Sequence, residues 1–188
     1  FKKKFAPSLN EATSVIASLD KLQLLHHLMR VCPIPDLQFE ALFVAMRSFI
    51  LKNLDKLEVS PELIYFLSTL AIHCFTNEYI YFETKEETKR IIDLEAMIAE
   101  TVLQSKRPEL PDILCLASFR PLHKYDWCQD LELLNHLGDI KKRLLEEPLA
   151  EKKIAKGIAI LGVVSDNVSK NVREQYEESP YPRWVKAA

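Results

Sequence analysis

Glycine occupies only three of the 188 positions: Gly138, Gly157 and Gly162. Ordinary usage would give about thirteen. A phosphate-cradling loop or a dinucleotide fingerprint needs several glycines within a few residues, and no segment supplies them. The Asn-Gly and Asp-Gly pairs that close tight hairpins are absent as well, and a GxSxG nucleophile elbow is excluded on the same count. A β-rich fold and a complete nucleotide-binding enzyme are therefore both disfavoured.

Apolar residues recur instead at helical spacing along almost the whole chain. Ala12, Val15, Ile16, Leu19, Leu22, His26 and Met29 predict a helix over about 10–31, with Ser8 or Asn10 as its cap, ended by Cys32-Pro33-Ile34-Pro35. A second helix is expected over about 36–57. Ser60-Pro61 opens a third, about 61–82, and the Thr84–Glu87 capping box a fourth, to about 104. A short helix over about 111–119 is followed by an irregular aromatic stretch at 121–127. Further helices are expected over about 130–146, from Glu147-Pro148 to about 160, and over about 166–178. Ile158 to Val164 is the single β-like run. The expected fold is all-α, a multi-helix bundle or α-hairpin array of about eight helices with no significant sheet. No repeat near 34 residues is visible.

The charges nearly cancel, with 25 Lys and Arg against 27 Asp and Glu for a net charge of -2, so no basic field invites nucleic acid. The longest apolar run, Leu63 to Phe75, is interrupted by Ser68, Thr69 and His73 and is too short for a membrane span. Cys32, Cys74, Cys115 and Cys128 lack metal-ligand spacing. They are expected to be reduced, mostly buried thiols in a cytoplasmic protein, and neither a metal nor a cofactor is expected in this chain.

Few polar positions invite a role. On the expected 61–82 helix Glu78 shares a face with Cys74, Ala71 and Leu67. A carboxylate there, with the neighbouring Asn77, is a candidate buried polar pair that needs a partner such as Arg47 or Arg120. Its functional reading is a positioned carboxylate near a histidine; its simpler reading is a tie between helices. His26 and His73 lie on helical stripes and are expected in or near the core. On the last helix Val168, Val172 and Tyr176 form an apolar stripe running into Ser179-Pro180-Tyr181-Pro182-Arg183-Trp184. Two prolines fix two φ angles, remove two donors and push Ser179 and Tyr181 to extended geometry. Tyr176, Pro180, Tyr181, Pro182, Arg183 and Trp184 are thus the candidate interface, a stiff strap with two large aromatics that should dock.

That strap resembles the QYExxPYPRW signature at the entry to the class I S-adenosylmethionine methyltransferase domain of certain bacterial tetratricopeptide-repeat proteins. Cys74-Phe75-Thr76-Asn77-Glu78-Tyr79 resembles their CFxNEY pattern, Phe119-Arg120-Pro121-Leu122 a YRPL-like element, Glu146 to Glu151 an EEPLxE element, and Asp166 to Tyr176 the approach to the signature. The matches span roughly 60–184 in the family's order, whereas 1–59 match only as helical sequence. The resemblance implies that residues 1–178 form an all-helical accessory domain. It further implies that 179–188 form a strap leading to a methyltransferase domain absent from this chain, which would be its partner in cis and would bind S-adenosylmethionine. No catalytic residue carries over. The start at Phe1 rather than Met fits a piece of a longer protein. The rival expectation is a stand-alone helical module for a protein or peptide partner, with no enzymatic link.

Overall fold

The computed structural model describes residues 8–158 and 166–178, apart from the side chains of Asp130, Leu133, Glu177 and Glu178. Its α-helices are α1 (Leu9–Asp20), α2 (Gln23–Val31), α3 (Leu37–Asn53), α4 (Pro61–Thr76), α5 (Lys85–Leu103), α6 (Leu110–Ala117), α7 (Gly138–Lys141), α8 (Glu147–Gly157) and α9 (Asn167–Glu178). A π turn at Lys142–Glu146 joins α7 and α8 into one rod, so the described residues make eight helical rods and no strand. The fold is all-α.

Side-chain oxygens set the helix starts. Ser8 and Glu11 form a capping box on α1, Asp36 accepts from the Gln38 and Phe39 amides, Ser60 caps α4, and Thr84 with Glu87 closes the expected box on α5. The hub is α4. Twelve of its sixteen residues are buried, as expected of a helix that is apolar all round. It packs against α1, α2 and α6, while α5 lies against α3 and α6. Phe43, Met46, Ile50, Phe66, Leu70, Ile91, Ile98, Ile113 and Phe119 make up much of one continuous core.

Four expectations are corrected. The helix expected over 10–31 is two, because the Leu19 carbonyl is taken by the Leu22 amide at 2.8 Å and by His26 Nε2 at 3.1 Å. The helix expected to reach 82 stops at Thr76. It ends in a Schellman turn, with Tyr79 N–H donating to Cys74 O at 2.8 Å and Glu78 N–H to Phe75 O at 3.3 Å. Glu78 and Tyr79 take positive φ values of 58° and 55°, a region that normally calls for glycine. Ser105 repeats this at the end of α5, with φ 55°, its amide on Val102 O at 2.8 Å and the Lys106 amide on Thr101 O at 3.0 Å. Third, the helix expected over 130–146 begins only at Gly138, after 3-10 turns at Asp126–Asp130 and Glu132–His136.

Fourth, Glu147-Pro148 does not break the chain. Pro148 has no N–H for the Leu144 carbonyl, and its ring would collide with that oxygen in an α-turn. The wider winding just before it, closed by Glu147 N–H on Lys142 O, lets the rod continue. Most of the β-like run from Ile158 to Val164, and all of 179–188, lie outside the described residues.

Candidate functional site

The segment between α4 and α5, residues 77–84, carries the densest set of specific polar contacts, and three arginines hold its surroundings. Arg47, on α3, is only 2% exposed. Its Nη1 donates to Ser118 O at 3.2 Å, and its Nη2 to Tyr81 O at 3.3 Å and Phe82 O at 3.1 Å. Its Cζ lies 4.2 Å from the centre of the Phe119 ring and 5.5 Å from that of Tyr81. Among the described residues no carboxylate lies within salt-bridge distance of it and its Nε has no partner. Carbonyl dipoles and aromatic faces thus stabilise this buried cation.

Arg120, just past α6, grips the same segment from the other side. It forks onto both oxygens of Glu83, and its Nε lies 3.8 Å from Glu95. Tyr125 O–H donates to Glu95 at 2.5 Å and its ring stacks on Trp127 with 4.7 Å between centroids. The Arg120 hydrogen bonds hold the Glu83 carboxyl below its usual range. Burial, then Glu95, pushes the Tyr125 hydroxyl up. Arg143, in the π turn, donates to the C-terminal carbonyl of Arg30 on α2 and, at 3.0 Å, to Thr76 Oγ1 at the end of α4.

Beyond these contacts lies an open cleft of about 500 Å³. Its apolar floor includes Leu131, Leu145 and Leu149, and Lys141, Lys152, Lys153 and Lys156 rim it. Lys141 pairs with Glu146 at 3.6 Å.

The candidate residues fare unequally. Asn77 is half-buried, with Oδ1 buried and unpaired among the described residues. Glu78 is exposed, a correction that follows from the helix ending two residues earlier. Arg47 and Arg120, its expected partners, are engaged as above. Tyr176 is exposed on α9 together with Val168 and Val172. Pro180, Tyr181, Pro182, Arg183 and Trp184 lie outside the described residues. Of the resembling segments, 74–79 lies at the end of α4, where Thr76 Oγ1 accepts from Arg143 and the Phe75 ring lies 6.1 Å from that of His123; Arg143 and His123 flank the 146–151 and 119–122 segments in the chain without belonging to them.

Of the cysteines, Cys74, Cys115 and Cys128 are buried, Cys32 is partly so, and none of the four is in a disulfide. Burial pushes the Cys74 and Cys115 thiols up to about 12, so they stay protonated at neutral pH. Burial likewise lowers His26 and His73 below the usual histidine range. Among the described residues no group of three or more His, Cys, Asp or Glu is arranged to hold a metal. Among the described residues no helix is long and apolar enough to cross a membrane. The arginine-clamped segment was missed in the sequence because the acceptors of Arg47 are backbone carbonyls, which leave no residue signature.

Fold and site together define an all-α module whose central helix ends in a clamped, polar turn. Comparison with protein-family models, with curated proteins and with solved structures finds no match for this chain.

Proposed function

We propose that this chain is a non-catalytic helical accessory domain of an S-adenosylmethionine-dependent methyltransferase, positioning a substrate or partner for a catalytic domain that follows it. The observation that carries this reading is the ordered set of sequence resemblances ending in Gln175-Tyr176-Glu177-Glu178-Ser179-Pro180-Tyr181-Pro182-Arg183-Trp184. The outward stripe of Val168, Val172 and Tyr176 on α9 supports it, since an apolar face left in water suits a helix that leads into another domain. Cofactor binding belongs to the following domain in this reading, and a cytoplasmic location goes with the reduced thiols.

The test is the coding sequence after Ala188. A strand followed by a glycine-rich turn is expected within a few tens of residues; a stop codon there would sink the proposal. A second reading, a stand-alone module for a protein or peptide, is favoured by Ile80 and Phe82, 79% and 76% exposed on the clamped segment. Calorimetry on the chain extended through the following domain separates the two: cofactor binding by that construction supports the first reading, and its absence the second.

A further inference from the structure

A line of hydrogen bonds runs from α2 through α4 into the segment that follows it. His73 Nδ1–H donates to Met29 O at 3.2 Å, which leaves Nε2 without a proton, and Tyr81 O–H donates to that nitrogen at 2.8 Å. The imidazole is 1% exposed and lies edge-on to Phe43 at 5.2 Å. The ionisable groups in this part of the core are His26 and Arg30 of α2, Glu40 and Arg47 of α3, Cys74 beside His73, Cys115 of α6 and Tyr81 itself. Glu40 is the one anion among them at neutral pH, and it is exposed. No carboxylate bears on the ring. Arg30 is turned toward Tyr65 and Asp139, and Arg47 shares the Tyr81 ring with His73. The segment also contains two consecutive left-handed residues, Glu78 and Tyr79, a conformation kept only where surrounding contacts enforce it.

We propose that His73 is an acid-sensitive latch: a proton taken up from solvent on Nε2 removes the acceptor of the Tyr81 hydroxyl, and residues 78–82 open while the helices stay folded. Protonation makes Nε2 a donor and sets an imidazolium beside a ring already facing the buried Arg47 guanidinium, with only the exposed, solvent-screened Glu40 carboxylate to offset either charge. Opening releases Tyr81 and changes how Ile80 and Phe82 are presented. The latch therefore couples pH to the most apolar exposed part of this segment, whichever partner that part meets.

The test is amide hydrogen exchange of residues 78–82 between pH 7.5 and 5, corrected for intrinsic exchange, alongside NMR titration of the His73 ring. Opening is expected to be flat above about pH 7 and to rise toward tenfold per pH unit below about 6.5. His73→Gln keeps a donor and an acceptor but cannot titrate, and its opening should not change with pH. An unchanged acid response in His73→Gln overturns the proposal, as does exchange that rises equally throughout α4 and α5. Should that variant fail to fold, Tyr81→Phe serves: it should raise exchange at 78–82 already at pH 7.5, and wild-type exchange there would equally overturn the latch.

Discussion

Arg120 holds Glu83 by both carboxylate oxygens, Nη1 to Oε2 at 2.7 Å and Nη2 to Oε1 at 2.9 Å. The pair ties the exit of α6 to the approach to α5, which are 37 residues apart in the chain. The two side chains are 32% and 20% exposed, so solvent screens part of the attraction. Geometry supplies the rest, because a planar fork matches a carboxylate where an ammonium cannot. Arg120→Lys should cost about 1 kcal/mol in urea unfolding. A double-mutant cycle with Glu83→Gln should give a coupling of about 1 kcal/mol; zero coupling would mean the fork is incidental.

Arg47 has the larger effect. Its guanidinium is the donor for the carbonyls of Ser118, Tyr81 and Phe82. Arg47→Met fills similar space but strands these oxygens, and should lower stability by about 3 kcal/mol. Arg47→Lys should recover less than half of that, since one ammonium cannot reach three acceptors around two rings. A loss under about 1 kcal/mol for Arg47→Met would show that the carbonyls find other donors.

Stability should fall in two steps on acidification. His26 and His73 titrate below their unfolded value when folded, chiefly through burial, so the unfolded chain binds more protons and stability is lost as pH drops below about 6.5. Glu83 is also held low, by Arg120; its contribution is present above about pH 4.5 and lost as pH falls below that. Urea midpoints across pH 8 to 3 report both. His26→Gln should make the first step shallower, leaving the His73 share, and leave the second unchanged.

Cysteine reactivity follows burial. Cys32 alone of the four is partly exposed. Native protein treated with iodoacetamide at pH 8 should be alkylated at Cys32, whereas Cys74, Cys115 and Cys128 should react only after unfolding in urea. Rapid native labelling of Cys74 or Cys115 would contradict the packing around α4.

The glycines are placed almost opposite to need. Glu78 and Ser105 hold left-handed caps, while Gly138 and Gly157 take negative φ, and a Cβ added at either would meet nothing within 4 Å. Ser105→Gly should stabilise by about 0.5–1 kcal/mol, and Gly157→Ala by a similar amount. Calorimetric melting of the two variants and their combination checks this; a lower melting temperature for Ser105→Gly would show that its side chain does more than tolerate the cap.

Helix starts were legible because their chemistry is written in residue types: Ser60-Pro61 and Thr84 with Glu87 announce themselves. The ends of α2, before Cys32-Pro33, and of α5, near 104, were legible too, but the end of α4 was not, since the usual signal is glycine and that helix ends without it. That one gap moved Glu78 from a supposed buried face to solvent. The all-α fold was readable from apolar spacing, and so was the burial of His26 and His73. The site was only partly readable. Arg47 and Arg120 were noticed only as possible partners for Glu78. Yet the partners were main-chain oxygens for one, and for the other a glutamate set apart by the turn between α4 and α5.

The π turn at Lys142–Glu146 acts as a phase shifter. One surplus residue in a helical turn rotates everything beyond it by about 100° relative to an even winding. Up to and within it the rod buries Ile140, Leu144 and Leu145; beyond it no residue of α8 is fully buried, and its lysines line the cleft. Removing one residue from the turn together with Pro148→Ala would swing that lysine row away from Leu131 and Leu145, erasing the cleft while leaving the composition nearly untouched.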